Sequence, residues 1–475
     1  MKKIGNFRWI ICLLLFFATT VNYLDRQVLS LTWKDFIAPE FHWTDDDYGT
    51  ITAVFSIIYA LCNLFAGKFI DWMGTKKGYL WAIFIWSLGA CLHAFCGEGA
   101  NALSSAGFVS MMGITVSVWL FLACRAVLAL GEAGNFPAAI KVTAEYFPKK
   151  DRAFSTSIFN SGSSVGALAA PLTIPLIARY CGWEWAFAII GALGFIWMGF
   201  WVWLYRKPEE NSRVGAAELE YIRQDDCATA GTVTESEGPK ISYAKAFSLK
   251  QTWALVLGRL LTDGVWWFFL FWTPGYISDQ FGYKSDTREG MALIFTLYAI
   301  VTFVSILLCK LPTYMVNRRG MNPYEGRMVA MFVFACFPLL ALGAQPLGVW
   351  GVGCSQGMKL LAAFGVATII GLACAGHQAW SANVYSVVGD MFPKSTIATL
   401  TGIAQCAAGC GSFIINKAAG KLFTYADNAG EAFSFCGYTG KPAGYMILFS
   451  YCAIAYIVGW CCMKVLVPKY KQVEL

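Results

Sequence analysis

The chain has 475 residues, of which 57% are hydrophobic and 14% charged, with a formal net charge of +7. Soluble domains carry about 25% charged residues, so a chain this long with a mean hydropathy of +0.54 has too few charges to solvate a globular surface. The positive balance does not indicate nucleic-acid binding, because Lys and Arg are scattered through short loops and form no continuous stripe.

A helix needs about 20 apolar residues to cross the hydrocarbon core. Twelve stretches qualify: 9–31, 48–70, 79–96, 112–138, 152–178, 184–205, 252–277, 289–316, 327–344, 358–388, 396–422 and 443–467. Nineteen Trp and 21 Tyr suit a protein with two water–lipid interfaces. The first stretch reads as a retained span and not a signal peptide, since it is long, lacks a small-residue cleavage site and carries Asp25-Arg26 near its end. The polar stretch Arg206 to Lys250 divides the spans six and six. This gives an N-terminal bundle (1–205), a cytoplasmic linker with one amphipathic helix (206–250) and a C-terminal bundle (251–475). With both termini cytoplasmic, about 25 Lys/Arg fall on that side and about 8 on the other, the bias that insertion imposes. The expected class is an all-α polytopic protein of a cell (inner) membrane.

Most of the 17 Cys lie inside spans, where Cys acts as a small hydrophobe. Cys96, Cys354 and Cys436 fall in expected outer loops, where a bridge is conceivable but nothing requires one. There is no HExxH and no metal-spaced His cluster, so an intramembrane enzyme lacks support and no resident metal or cofactor is expected. No selectivity filter or ring of pore charges points to a channel.

Two cytoplasmic loop patterns recur about 245 residues apart. Gly67-x-x-x-Asp71-x-x-Gly74-x-Lys76-Lys77 returns in degenerate form as Thr313-x-x-x-Asn317-Arg318-Arg319-Gly320. Glu145-Tyr146-Phe147-Pro148-Lys149 returns as Asp390-Met391-Phe392-Pro393-Lys394. In this the sequence resembles the major facilitator superfamily along its whole length. The resemblance implies two pseudo-symmetric six-helix bundles around a central cavity, which rock to expose it alternately to each side. Gly67 and Gly74 would let helices approach closely, while Asp71 and its basic neighbours would make contacts that open on rotation. Lys76 and Lys77 serve topology equally well.

Charges inside spans are expensive and are functional hypotheses by default. Asp25 stands about 25 Å along the first helix from Arg8, with Arg26 about 100° around from it. Arg125 and Glu132 are seven residues apart, hence on one stripe of span four, and Gly134 and Pro137 should loosen the helix behind them. A guanidinium is a permanent fork suited to a carboxylate, whereas a carboxyl in a low-dielectric cavity can load and release a proton. Arg26 is therefore the candidate anion receptor and Asp25 and Glu132 the candidate proton carriers. Structural ion pairs, such as Asp25 with Arg125, are the competing reading. Arg259 and Asp263, four apart in span seven, can pair on one face and are assigned to an inner gate. Tyr59, Asn63, Asn160, Ser163, His377, Gln378, Trp380, Asn383 and Gln405 supply amide, hydroxyl and aromatic groups of the kind a sugar requires. Gln405 occupies the repeat position of Asn160. Any one of them can equally be an interhelical hydrogen bond.

Four runs narrow the resemblance: Asn22-Tyr23-Leu24-Asp25-Arg26, Arg125-x6-Glu132-Ala133-Gly134-Asn135-Phe136-Pro137, Phe159-Asn160-Ser161-Gly162, and Arg259-x-Leu261-Thr262-Asp263-x-Val265-Trp266-Trp267. They are similar to the anion:cation symporters of the superfamily, the last most like hexuronate transporters. The resemblance implies proton-driven import of a sugar acid by a monomer. Asp25 and Glu132 would then be proton sites, Arg26 would hold the substrate carboxylate and Arg125 would tune the neighbouring acid, with Tyr59, Trp380 and Gln405 lining the sugar. The chain departs from galactonate carriers in having Ser163 where they tend to carry Gln, and in presenting His377. Galacturonate or glucuronate is the first expectation for the substrate and an aldonate the second. A proton-independent uniporter or exchanger is the alternative mechanism.

Overall fold

The computed structural model describes residues 5–108, 110–111, 113–224, 242–392 and 396–470. The middle of the expected linker, 225–241, and the Pro393-Lys394 end of the second repeat motif lie outside the described residues.

In a bilayer each apolar stretch must satisfy its own backbone groups, and coiling does so. Twelve principal helices result: α1 Phe7–Thr32, α2 Asp45–Met73, α3 Thr75–His93, α4 Val116–Glu132, α5 Lys149–Cys181, α6 Trp183–Leu204, α7 Lys250–Phe281, α8 Arg288–Leu308, α9 Pro323–Cys336, α10 Gln356–Met391, α11 Ile397–Ala429 and α12 Lys441–Leu466. Two antiparallel hairpins of two-residue strands, Ser110–Met111 with Ile114–Thr115 and Ser434–Phe435 with Tyr438–Thr439, are the β-structure among the described residues. Ten helical stretches are long and apolar enough to cross a membrane, and Thr75–His93 with Cys96–Ser105, bent by 58°, adds an eleventh. Helix α11 coincides with the remaining expected span and has ample length, but Thr399, Thr401, Gln405, Ser412, Asn416 and Lys417 make it more polar. Phe303, Leu307, Leu361 and Trp203 are more than half exposed, as lipid-facing side chains are. The chain is a multi-pass α-helical membrane protein.

Local chemistry explains the breaks. Span four stops at Glu132 and restarts as Asn135–Tyr146, so the loosening expected at Gly134 and Pro137 occurs. Span nine is irregular: α9 gives way at Phe337-Pro338 to a 3-10 turn and then a helix Ala344–Val352, because Pro338 has no N–H for the ladder. Cys96, expected in a loop, begins a short helix and is buried 3.6 Å from Cys124 Sγ. All described cysteines are free.

The chain forms two compact units. Unit 1 comprises Met1–Val28 and Leu61–Glu237, and unit 2 Leu29–Ala60 and Gly238–Leu475. In unit 1, α3 packs against α4 and α6. A Cβ at Gly131 would lie 2.3 Å from the Trp86 backbone nitrogen, so glycine alone permits this approach, which brings Glu132 beside the Trp86 turn. The linker contributes a helix, Ala216–Ile222. Its buried Glu218 accepts from the backbone N–H of Phe7 (3.3 Å) and Arg8 (3.0 Å) and from Arg8 Nη1 (3.2 Å), capping the positive end of α1. In unit 2, α7 packs against α10, α11 and α12.

Candidate functional site

Unit 1 gathers four ionisable side chains away from solvent. Asp25, Arg26, Arg125 and Glu132 are each at most 4% exposed. Arg26 clasps one oxygen of Glu132 edge-on, with Nη2 at 2.6 Å and Nε at 3.1 Å, and its guanidinium lies 5.2 Å from the Tyr23 ring centre. The other Glu132 oxygen is buried without a hydrogen bond. Asp25 is surrounded by Glu132, Arg125 and the Trp86 indole, yet neither of its oxygens closes a normal hydrogen bond among the described residues. The pair formed is thus Arg26–Glu132, between α1 and α4.

Unit 2 holds a second centre. On α7, Arg259, Asp263 and Trp266 follow at i, i+4 and i+7, one face of the helix. Arg259 pairs with Asp263 (2.7 Å) and also donates to Ser381 Oγ (2.6 Å) and Gln405 Oε1 (3.0 Å). The residues assigned from sequence to a gate and to the sugar lining therefore meet here. On α10, His377 stacks on Trp266 with centroids 5.2 Å apart and planes 10° apart, and bonds the Tyr456 hydroxyl through Nδ1 at 2.6 Å. Trp380 is enclosed, edge-on to Tyr456. Tyr59 stacks on Phe55 and meets Trp267 edge-on.

Other sequence candidates stand apart from these centres. Asn160 is exposed, and the Ser163 hydroxyl is spent on the Asn160 carbonyl of its own helix (2.7 Å). Asp71 is exposed and pairs with Lys141 (2.7 Å). Gly74 has φ +76°, a left-handed conformation that favours glycine. Gly67 is not at a close helix contact, since a Cβ there would meet nothing within 4 Å. The run Gly162-Ser163-Ser164-Val165-Gly166 has the letters of a nucleophile elbow, GxSxG, but lies mid-helix in α5 with no strand before it, and its glycines face Phe16 and Thr20 of α1.

One constellation was not legible from the sequence. Where α7 ends and α12 begins, Lys34 and Lys441 alternate with Asp45 and Asp279 in a closed ring. The pairs are Lys34–Asp279 (3.0 Å), Lys441–Asp279 (2.6 Å), Lys441–Asp45 (2.8 Å) and Lys34–Asp45 (3.6 Å). Asp35 beside it accepts from Ser278 Oγ (2.6 Å) and from the N–H and hydroxyl of Ser285 (both 2.8 Å), and Lys417 pairs with Asp46 (2.6 Å). Each charge of the ring sits at or just beyond a helix end, where sequence suggests only solvation. Asp279→Asn should leave two ammonium groups on one carboxylate and lower stability by about 2 kcal/mol, less than for a fully buried pair. Adding Lys441→Met should restore most of it. Thermal unfolding at low and high salt measures both effects, and a loss that does not shrink with salt would deny the ring its electrostatic role.

These features define a polytopic helical bundle with buried, paired charges and no catalytic constellation among the described residues. The sequence pattern of the Major Facilitator Superfamily matches residues 15–416, and the chain belongs to that superfamily. It is a membrane transporter, not an enzyme. It is 27% identical to the hexuronate transporter of Escherichia coli K12 over 422 residues, 89% of each chain. To the D-galactonate transporter of Escherichia coli O6:H1 it is 25% identical over 430 residues, 88% of this chain and 90% of the other. Among solved structures, a bacterial homologue of the human lysosomal transporter Spinster superposes with a TM-score of 0.70 at 17% identity, covering all of both chains. A D-xylose–proton symporter gives 0.66 at 14% identity, covering 99% of this chain and all of the other.

Proposed function

We propose that this protein imports a sugar acid by proton symport, with galacturonate or glucuronate as the first substrate class and an aldonate as the second. The observation that carries the reading is the buried Arg26–Glu132 clasp beside the unsatisfied Asp25. A guanidinium held by a carboxylate is closed to a second anion. Protonating Glu132 releases the fork, and a substrate carboxylate can take its place with the same geometry. Binding of anion and proton is thereby coupled in one direction, and release of both on the other side restores the clasp. Asp25, which is not clasped by a guanidinium, supplies the second proton-carrying group, and Arg125 biases both acids electrostatically. The sugar-acid relatives support the substrate class, and the Lys/Arg asymmetry supports cytoplasmic termini in a cell membrane. The six-and-six division at 206–250 is part of the same reading.

Reconstitution into proteoliposomes with an imposed pH gradient tests it. The native protein should accumulate hexuronate uphill and ignore neutral sugars. Asp25→Asn should abolish accumulation while retaining substrate-protected thermal stability. If that variant still concentrates substrate, Asp25 carries no proton and a uniporter or exchanger is the better description.

A further inference from the structure

Tyr456 of α12 is fully buried, and its hydroxyl makes two hydrogen bonds. One runs 3.0 Å to the Thr262 backbone carbonyl and the other 2.6 Å to His377 Nδ1. A phenol has a single proton to donate, and a carbonyl oxygen can only accept. The Tyr456 proton therefore goes to Thr262, and the phenol oxygen must accept a proton from His377. In the neutral imidazole that assigns the single ring proton to Nδ1 and leaves Nε2 with its lone pair. The ring cannot easily turn to exchange them, because Trp266 covers one face and Tyr456 meets it edge-on at 6.0 Å. Nε2 has no hydrogen bond among the described residues, and His377 keeps 5% exposure.

The setting gives that lone pair a use. His377 and Ser381 are one turn apart on α10, and Ser381 accepts from Arg259, whose partners Asp263 and Gln405 complete the group. The charged groups around the imidazole are thus Arg259 and Asp263 of α7, with the Tyr456 phenol of α12. The guanidinium is donor-only and is already engaged by Asp263, Ser381 and Gln405, so it leaves this face without an acceptor of its own. An acceptor on the same face suits a hydroxyl proton. We infer that His377 is a neutral hydrogen-bond acceptor that selects a hydroxyl of the sugar acid through Nε2, and that Tyr456 is the positioning residue that fixes its tautomer. This rests on the sugar-acid reading above.

The test is a panel of monodeoxy and monofluoro hexuronates assayed for thermal stabilisation and uptake KM. Fluorine replaces the hydroxyl in size but cannot donate. For the native protein, the analogue altered at the recognised hydroxyl should bind about tenfold more weakly than its parent. His377→Gln, whose side-chain oxygen reaches the place of Nε2, should stay within about threefold of native. His377→Asn, which mimics only the Nδ1 edge, should lose about tenfold and no longer distinguish that analogue from the parent. Tyr456→Phe frees the tautomer and should raise KM about tenfold with little change in maximal rate. Combining it with His377→Gln should restore affinity, since an amide can turn its oxygen to the hydroxyl by rotation and needs no partner to fix a tautomer. Failure of that rescue, or full analogue discrimination by His377→Asn, overturns the inference while leaving sugar-acid transport intact. Absence of any sugar-acid stabilisation in the native protein overturns the transport reading on which it rests.

Discussion

Truncating Arg26 to alanine should lower stability by about 3–5 kcal/mol and abolish sugar-acid uptake, because it strands a fully buried Glu132 without its only described hydrogen-bond donors. Neutralising the stranded partner separates the two effects. Arg26→Ala combined with Glu132→Gln should regain most of the lost stability and none of the transport, since the buried charge is gone but so is the proposed anion receptor. Glu132→Gln alone should fold, retain binding and lose coupling to the pH gradient, because Arg26 is then permanently open. Arg26→Lys keeps a charge for Glu132 but offers a point in place of a fork. Its KM should rise about 10–100-fold, the loss of one or two charge-assisted hydrogen bonds. Thermal unfolding and proteoliposome uptake of the four variants make the measurement. A double variant no more stable than Arg26→Ala would mean that the stranded Glu132 charge is not what destabilises the single one.

The sequence shows which residues matter in this centre more clearly than how they are joined. Asp25, Arg26, Arg125 and Glu132 stand out because charge within an apolar span has few structural reasons to persist. The one-stripe relation of Arg125 and Glu132 follows from helix geometry alone. Their partners do not, since Arg26 and Glu132 are 106 positions apart. Asp25–Arg125 was as admissible a pair on paper, whereas the structure joins Arg26 to Glu132. The same holds in unit 2. Arg259 lies near the start of α7, and distance along the chain suggested a gate. Its bond to Gln405, 146 positions away, also links it to a residue assigned to the sugar. Helix positions were readable because spans obey a length rule. The Lys34–Asp45–Asp279–Lys441 ring was not, because charges at helix ends have a sufficient local explanation and nothing in one dimension reports that four of them converge.

Arg259 tests whether that second centre binds substrate or only holds unit 2 together. Arg259→Ala should destabilise by about 3–5 kcal/mol, since Asp263 is then left buried and unpaired. Adding Asp263→Asn should recover most of this, so the pair's structural share can be removed without touching the question of binding. Arg259→Lys is the informative change. An ammonium can still pair with Asp263 but cannot reach Ser381 and Gln405 together in the planar arrangement of a guanidinium. Folding should survive, while KM should rise about tenfold with maximal rate little changed, because Gln405 and Ser381 lose the group that orients them. A residue serving only as a gate gives the opposite pattern, altered rate at constant affinity, since gating changes how fast the loaded protein reorients and not how well the sugar acid is held. The Arg259–Gln405 bond favours the first pattern, because a residue serving only as a gate has no need to fix the amide of the residue proposed to line the sugar.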